Sequence, residues 1–137
     1  MAIREYSMAR DADSNISPHF KIREFACSDG SDKVLIDDDL VNQLENIRNH
    51  FGKPLHINSG YRTPSYNVTL LGASKKSQHM TGRAADIWVE GVDTLTLYRY
   101  CLAIMPGWGG IGIYNTFVHF DTRPNKSRWD YRTKFPR

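Results

Sequence analysis

The chain is poor in the features that define disulfide-stapled, membrane-spanning or nucleic-acid-binding proteins. Its two cysteines, Cys27 and Cys101, are far apart and match no zinc-ribbon or CxxC redox spacing. Buried free thiols are the default expectation for them, and a single disulfide between them stays open. No hydrophobic run is long enough to cross a membrane. Lys and Arg total 18 against 15 Asp and Glu, without the dense basic stripe that nucleic-acid binding requires. We therefore expect neither a membrane nor a nucleic-acid partner.

The length of 137 residues fits one domain with a hydrophobic core that needs no disulfide. We divide the chain into a polar leader at 1–17, a core at 18–129 and a basic tail at 130–137. The leader lacks the apolar segment of a signal peptide, so we expect synthesis in the cytoplasm. A monomer is the default expectation for a domain of this kind.

Two histidines and an aspartate are the residues most indicative of function. His79 and Asp86 lie seven positions apart, and His119 lies downstream in an apolar run. Two imidazoles and one carboxylate form a three-ligand zinc set that leaves the fourth tetrahedral position free for water or substrate. Structural zinc sites normally use four protein ligands, mostly cysteine, so this set indicates a zinc hydrolase. The alternative is that the histidines are hydrogen-bonded core residues.

The local pattern predicts how these residues converge. Gly82 permits a tight turn after His79, and residues 83–89 are typical of a strand. In the later apolar run, His119 and Asp121 fall on one strand face because side chains alternate with period two. An acidic group is therefore expected beside one of the ligands.

The remaining pattern predicts an α+β domain with a small, mainly antiparallel sheet and helices packed on one side of it. Apolar spacings, caps and turn residues give the helices at 37–51, 64–71 and 93–105, the strand at 55–58, and a hairpin of 109–114 with 117–122. A polar loop at 72–78 is expected at the mouth of the site, and Trp129 and Tyr131 are expected to pack on the sheet edge. Structural roles are predicted for the other three histidines, which are His19, His50 and His56.

Three ordered blocks of sequence resemble the M15 family of zinc peptidases. The blocks are Ser59-Gly60-Tyr61-Arg62-Thr63-Pro64, Ser77-x-His79-x-x-Gly82-x-Ala84-x-Asp86, and Gly110-Ile111-Gly112-x-Tyr114 followed by Phe117-Val118-His119-Phe120-Asp121. That family includes D-alanyl-D-alanine carboxypeptidases and peptidoglycan endopeptidases, among them many phage endolysins. The likeness runs from Phe20 to Trp129 and is greatest to the small single-domain branch often carried by phages. It implies the hedgehog/DD-peptidase-like fold.

The resemblance implies roles for five residues. His79, Asp86 and His119 would be the zinc ligands. Arg62 would steady a substrate carboxylate or the oxyanion, which suits a planar, permanently charged guanidinium. Ser77 would help to hold the substrate. A surface ion pair for Arg62 and a loop hydroxyl that caps its own backbone for Ser77 are the alternatives.

The sequence departs from the family pattern at Thr116. Many relatives carry an acidic general base three residues before the last histidine, and a threonine cannot take a proton from water. Asp121 is the nearest candidate for the base. A carboxylate that orients the liganding imidazole is the alternative role for Asp121, and both stay open.

These residues together predict zinc-dependent hydrolysis of an amide in peptidoglycan stem or cross-bridge peptides, by a D,D-carboxypeptidase or an endopeptidase. Peptidoglycan peptides would be the partner, reached after holin-type release or from a virion. The alternative is a zinc-containing wall-binding or virion structural module that keeps the fold without cleaving. Thr116 favours that alternative, whereas the intact Arg62 and the His-x-Asp ending disfavour it.

Overall fold

The computed structural model describes residues 2–70 and 73–133 of the chain. The strands are β1 Ile3–Ser7, β2 Asn15–Ser17, β3 Phe20–Lys21, β4 Lys33–Asp37, β5 Leu55–Ser59, β6 Ala84–Val89, β7 Gly110–Ile113, β8 Val118–Asp121 and β9 Ser127–Asp130. The helices are α1 Met8–Asp11, α2 Asp38–Phe51, α3 Pro64–Asn67 and α4 Thr94–Ile104, with 3₁₀ turns at Ile22–Phe25 and Gln78–Thr81.

A five-stranded sheet in the order β5-β6-β8-β7-β9 forms the centre of the fold. Its neighbours pair antiparallel except β7 and β9, which run parallel. The pairs β1-β4 and β2-β3 form two separate two-stranded sheets. One face of the central sheet is apolar and buried, and it presents Ala85, Ile87, Ile111, Val118 and Phe120 to the core. The predicted α+β class with a small, mainly antiparallel sheet is confirmed.

The two long helices occur where apolar periodicity predicts them. In α2, Leu40, Leu44 and Ile47 are fully buried at helical spacing. In α4, the Asp93 side chain caps the first turn by accepting a hydrogen bond from the Thr96 N–H. The third predicted helix is shorter than expected, since α3 ends at Asn67. Its predicted end at Leu71 lies outside the described residues.

The leader and the end of the predicted core both contain structure that the sequence did not predict. Residues 3–17 form β1, α1 and β2, and β1 pairs antiparallel with β4. At the other end, β9 adds a parallel strand to the edge of the central sheet. Lys134–Arg137 of the predicted basic tail lie outside the described residues.

Cys27 and Cys101 are both free and buried, which confirms the default expectation of unpaired thiols. Burial raises the pKa of the Cys101 thiol, which is therefore an unreactive core group. Within residues 2–70 and 73–133, no helix has the length and apolarity needed to span a bilayer.

Gly82 ends the turn that carries His79, and its backbone position tolerates no side chain. Its φ is +80°, and a Cβ added there would lie 2.5 Å from the Leu35 carbonyl oxygen. We expect Gly82→Ala to lower the free energy of unfolding by about 3 kcal/mol or more, from the left-handed backbone plus the collision. Urea unfolding followed by circular dichroism measures the loss.

Gly91→Ala is the matched control, because Gly91 has a φ of +73° with nothing within 4 Å of an added Cβ. It should cost only the backbone term of about 1–2 kcal/mol. Equal losses in the two variants would contradict the importance of the Leu35 contact.

Candidate metal centre

A single row of residues across the central sheet forms the floor of the site. Asp86 on β6 is opposite His119 on β8, and His119 is opposite Gly112 on β7. Gly112 is in turn opposite Trp129 on β9, and Ser59 on β5 is opposite Asp86. Residues paired in this way share a sheet face, which here is the face turned away from the apolar core. The candidate ligands and the apolar core residues therefore lie on opposite faces of the same sheet.

His79 reaches this row from the 3₁₀ turn that precedes β6. Its Nδ1 donates a hydrogen bond of 2.7 Å to the Gly60 carbonyl, so its Nε2 carries a lone pair. That Nε2 is buried, has no hydrogen-bond partner within residues 2–70 and 73–133, and lies 3.3 Å from Asp86 Oδ1. A buried ring nitrogen left unpaired in this way is costly unless a further group binds it.

His119 is held in a fixed tautomer by a carboxylate behind it. Its Nε2 donates to Asp121 Oδ2 over 2.6 Å, which leaves the lone pair on Nδ1. Nδ1 lies 3.1 Å from Asp86 Oδ1. Asp121 is fully buried and also accepts hydrogen bonds from the Gly110 N–H and the Arg123 guanidinium. This is the arrangement in which an outer carboxylate orients a liganding imidazole.

The three side chains offer ligand atoms that all lie within 4.8 Å of one another. His79, Asp86 and His119 are all buried. Three acceptor atoms in such proximity repel one another unless a proton or a metal cation lies between them. Two imidazole nitrogens and a carboxylate oxygen suit Zn²⁺ with an open fourth position, so the residues fit the predicted metal.

Charge interactions control protonation in this cluster. Burial alone would raise the pKa of Asp86, but the contacts with His119 and His79 outweigh it and hold that pKa below its usual range. Burial alone would lower the pKa of His119, yet Asp121 and Asp86 raise it. His119 and Arg123 likewise outweigh burial and lower the pKa of Asp121. Both carboxylates are therefore ionised at neutral pH.

A cavity of about 710 Å³ opens over the cluster, and it brings together most of the predicted site residues. Its lining includes Arg62, Ser77 and the three candidate ligands, but not Asp121. Arg62 places Nη2 3.4 Å from Asp86 Oδ2 and donates from Nε to Ser59 Oγ. Ser77 Oγ accepts a hydrogen bond from the His79 N–H, which is the loop-capping geometry, while the residue also faces the cavity.

The position at which the sequence resemblance implies an acidic base is not part of the cavity lining. Thr116 lies in the exposed turn between β7 and β8, away from the lining. Among the described residues that line the cavity, Asp86 is the sole acidic side chain. The polar loop predicted at 72–78 borders the cavity through residues in 73–78. Its first residue, Gly72, lies outside the described residues.

The sequence did not predict an aromatic wall on one side of the cavity. The wall comprises Tyr114, Phe117, Trp129 and Tyr131. Trp129 lies on the edge strand, as expected, but its ring also lies 5.0 Å from that of His119. The available signal was the repeated glycine of Gly110-x-Gly112, because a glycine inside a strand marks a close approach by another group.

The other three histidines have partners elsewhere. His19 contacts Glu45 at 2.8 Å, His56 contacts Glu90 at 2.6 Å, and His50 stacks on Tyr100. None of the three lines the cavity.

The chain is similar to known peptidases. The profile of a family described as Peptidase M15 matches residues 18–121. The Peptidoglycan L,D-endopeptidase MepK of Escherichia coli K12 is 36% identical over 97 residues, which cover 65% of this chain and 52% of that protein. The Probable peptidoglycan L,D-endopeptidase MepK of Haemophilus influenzae is 30% identical over 98 residues, with the same 65% and 52% coverage. The chain thus spans about half the length of these curated relatives, and no solved structure matches it.

We expect Asp121→Asn to weaken zinc binding by about 10- to 100-fold, because the neutral amide no longer supports the basicity of His119. Competition with a chromophoric chelator measures the affinity, and circular dichroism checks folding. His56→Gln, which removes an exposed histidine with a carboxylate partner, is the control and should bind zinc as the unaltered protein does. Unchanged affinity in a folded Asp121→Asn variant would contradict the orienting role.

Proposed function

The chain belongs to the M15 family of peptidases, and from that membership we propose that it is a zinc-dependent peptidase that cleaves an amide in the peptides of bacterial peptidoglycan. The observation that carries the proposal is the buried Nε2 of His79, which has no hydrogen-bond partner among the described residues and lies close to ligand atoms of Asp86 and His119. The names of the relatives, which are peptidoglycan L,D-endopeptidases, support the substrate class. Of the two activities left open by the sequence, they favour an endopeptidase.

In this proposal, His79 Nε2, His119 Nδ1 and an Asp86 carboxylate oxygen would hold the metal. Zinc bound there would lower the pKa of a water ligand and polarise the scissile carbonyl. The Gly60 carbonyl and the Asp121 carboxylate fix the tautomers of the two imidazoles, so that the ligand lone pairs are presented without reorganisation.

We assign Asp121 the orienting role rather than that of the base. It is fully buried behind His119, it does not line the cavity, and Arg123 and Gly110 occupy its remaining acceptor sites. A base must reach the proton that it removes, either directly or through one water. Asp121 has no such path along the lining of the cavity.

We assign Arg62 to a carboxylate of the substrate. Its guanidinium lines the cavity beside Asp86, and Lys76 and Arg123 add two further cations to the lining. A cavity with three basic side chains and one acidic side chain favours an anionic peptide. We assign Ser77, which also lines the cavity, to a hydrogen bond with the same ligand.

A wall-binding module that does not cleave is the second candidate. The position of Thr116, and a cavity whose described lining holds no acid besides the ligand Asp86, favour this candidate. The two candidates share the metal and the ligand class but differ in whether peptides are released.

The test is mass spectrometry of the products from purified Escherichia coli peptidoglycan incubated with the zinc-loaded protein. We expect new peptide ends that disappear with a zinc chelator and in His119→Ala, and that persist in the control His56→Gln. The masses of these ends would identify the bond. Stoichiometric zinc without products on walls of several chemotypes would contradict the peptidase and support the binding module.

A further inference from the structure

The aromatic wall contains a hydrogen bond between two side chains that the metal centre does not use. Trp129 Nε1 donates to the Tyr114 hydroxyl oxygen at 3.1 Å. Both residues line the cavity above the candidate ligands. The Tyr114 ring is also stacked on Phe117, with centroids 4.4 Å apart and the planes at 11°. The stacking on Phe117 and the hydrogen bond from Trp129 thus fix the position of the Tyr114 hydroxyl.

The indole that supplies this hydrogen bond packs closely against Gly112 of the sheet. A Cβ on Gly112 would lie 2.1 Å from Trp129 Nε1, so only glycine leaves room for the ring on the sheet. The other neighbours of the indole are His119, at 5.0 Å between ring centroids, and the Arg123 guanidinium, 5.5 Å from its centroid. Trp129 lies beyond residues 18–121, which the family profile matches.

The direction of the hydrogen bond determines what Tyr114 can do. A phenol has one proton to donate and lone pairs to accept with, whereas an indole N–H only donates. Because Tyr114 accepts from Trp129, its own proton is left for another acceptor. Within the described part of the chain, Tyr114 donates to no protein acceptor. Burial raises the pKa of Tyr114, so the proton is retained at neutral pH.

We propose that Tyr114 is a catalytic residue whose hydroxyl donates a hydrogen bond to the carbonyl oxygen of the scissile amide as negative charge develops there, and that Trp129 is the positioning residue that aims it. This inference rests on the proposed peptidase function. It assigns the oxyanion to Tyr114, whereas Arg62 keeps the role proposed above, which is to bind the substrate carboxylate. The phenol keeps its proton throughout and serves as a preorganised donor.

The first test is Tyr114→Phe, which removes the hydroxyl and keeps the ring on Phe117. We expect kcat for peptide release to fall by about 10- to 100-fold while KM changes less than about threefold, as for a donor that acts mainly in the transition state. Zinc content and the unfolding midpoint should be unchanged. Tyr6→Phe is the matched control, because Tyr6 lies on β1 outside the cavity lining, and its kinetics should equal those of the unaltered protein.

The second test asks whether Trp129 acts through Tyr114. Trp129→Phe keeps an aromatic ring and loses the N–H, so kcat should fall with little change in KM. The double variant Tyr114→Phe/Trp129→Phe should then be no slower than Tyr114→Phe alone, because the donor that Trp129 aims is already missing. Additive losses would mean that Trp129 acts structurally, and they would overturn its positioning role.

The outcomes separate this inference from the proposed function. If the unaltered protein releases peptides and Tyr114→Phe stays within twofold of it, the role of Tyr114 is overturned and the peptidase stands. If Tyr114→Phe loses zinc or unfolds earlier, Tyr114 is a structural residue and the inference is again overturned. If the zinc-loaded unaltered protein releases no peptides, the peptidase and the catalytic role of Tyr114 fall together.

Discussion

The site depends on one electrostatic constraint, which is the convergence of three ligand atoms on the floor of the cavity. His79 Nε2 and His119 Nδ1 lie 3.3 and 3.1 Å from Asp86 Oδ1. When both rings are neutral, these atoms have no proton to share, because the opposite nitrogens already donate to the Gly60 carbonyl and to Asp121. Such an arrangement is unfavourable unless a cation occupies it. The hydrogen bonds behind the ligands therefore matter as much as the ligands, since they prevent relief by tautomer exchange.

The sheet enforces this convergence through its two faces. Asp86 and His119 are directly opposite on neighbouring strands, and the residues beside them in sequence, Ala85 and Phe120, are opposite on the buried face. A slip of one residue in register would bury the ligands and expose the core. The hydrophobic packing against α2 and α4 thus fixes the register, and through it the geometry of the site. Of the three candidate ligands, His79 is the one that comes from outside the sheet. Gly82, which ends the turn that carries His79, packs closely against the Leu35 backbone and so fixes the position of that turn.

The local sequence pattern predicted the long helices and the strand that carries His119 and Asp121. The features that it did not predict depend on contacts between residues that are distant in sequence. Helical spacing identified α2 and α4, and period-two alternation placed Asp121 beside His119, because both signals lie within one segment. The glycines of Gly110-x-Gly112 indicate that some group approaches the sheet closely. The parallel strand β9 carries no local signature, so the sequence did not identify that group as Trp129. The two roles left open for Asp121 likewise depend on Arg123 and Gly110, whose contacts exist only in the folded chain.

The most direct test of the central claim is anomalous diffraction at the zinc edge from crystals of the zinc-loaded protein. The account predicts one zinc ion bound by His79 Nε2, His119 Nδ1 and an Asp86 oxygen, at about 2.0–2.2 Å from each. Asp121 should remain hydrogen-bonded to His119 Nε2 and should not contact the metal. Zinc bound through His119 Nε2, zinc located at another histidine, or no anomalous peak between the three side chains would contradict it.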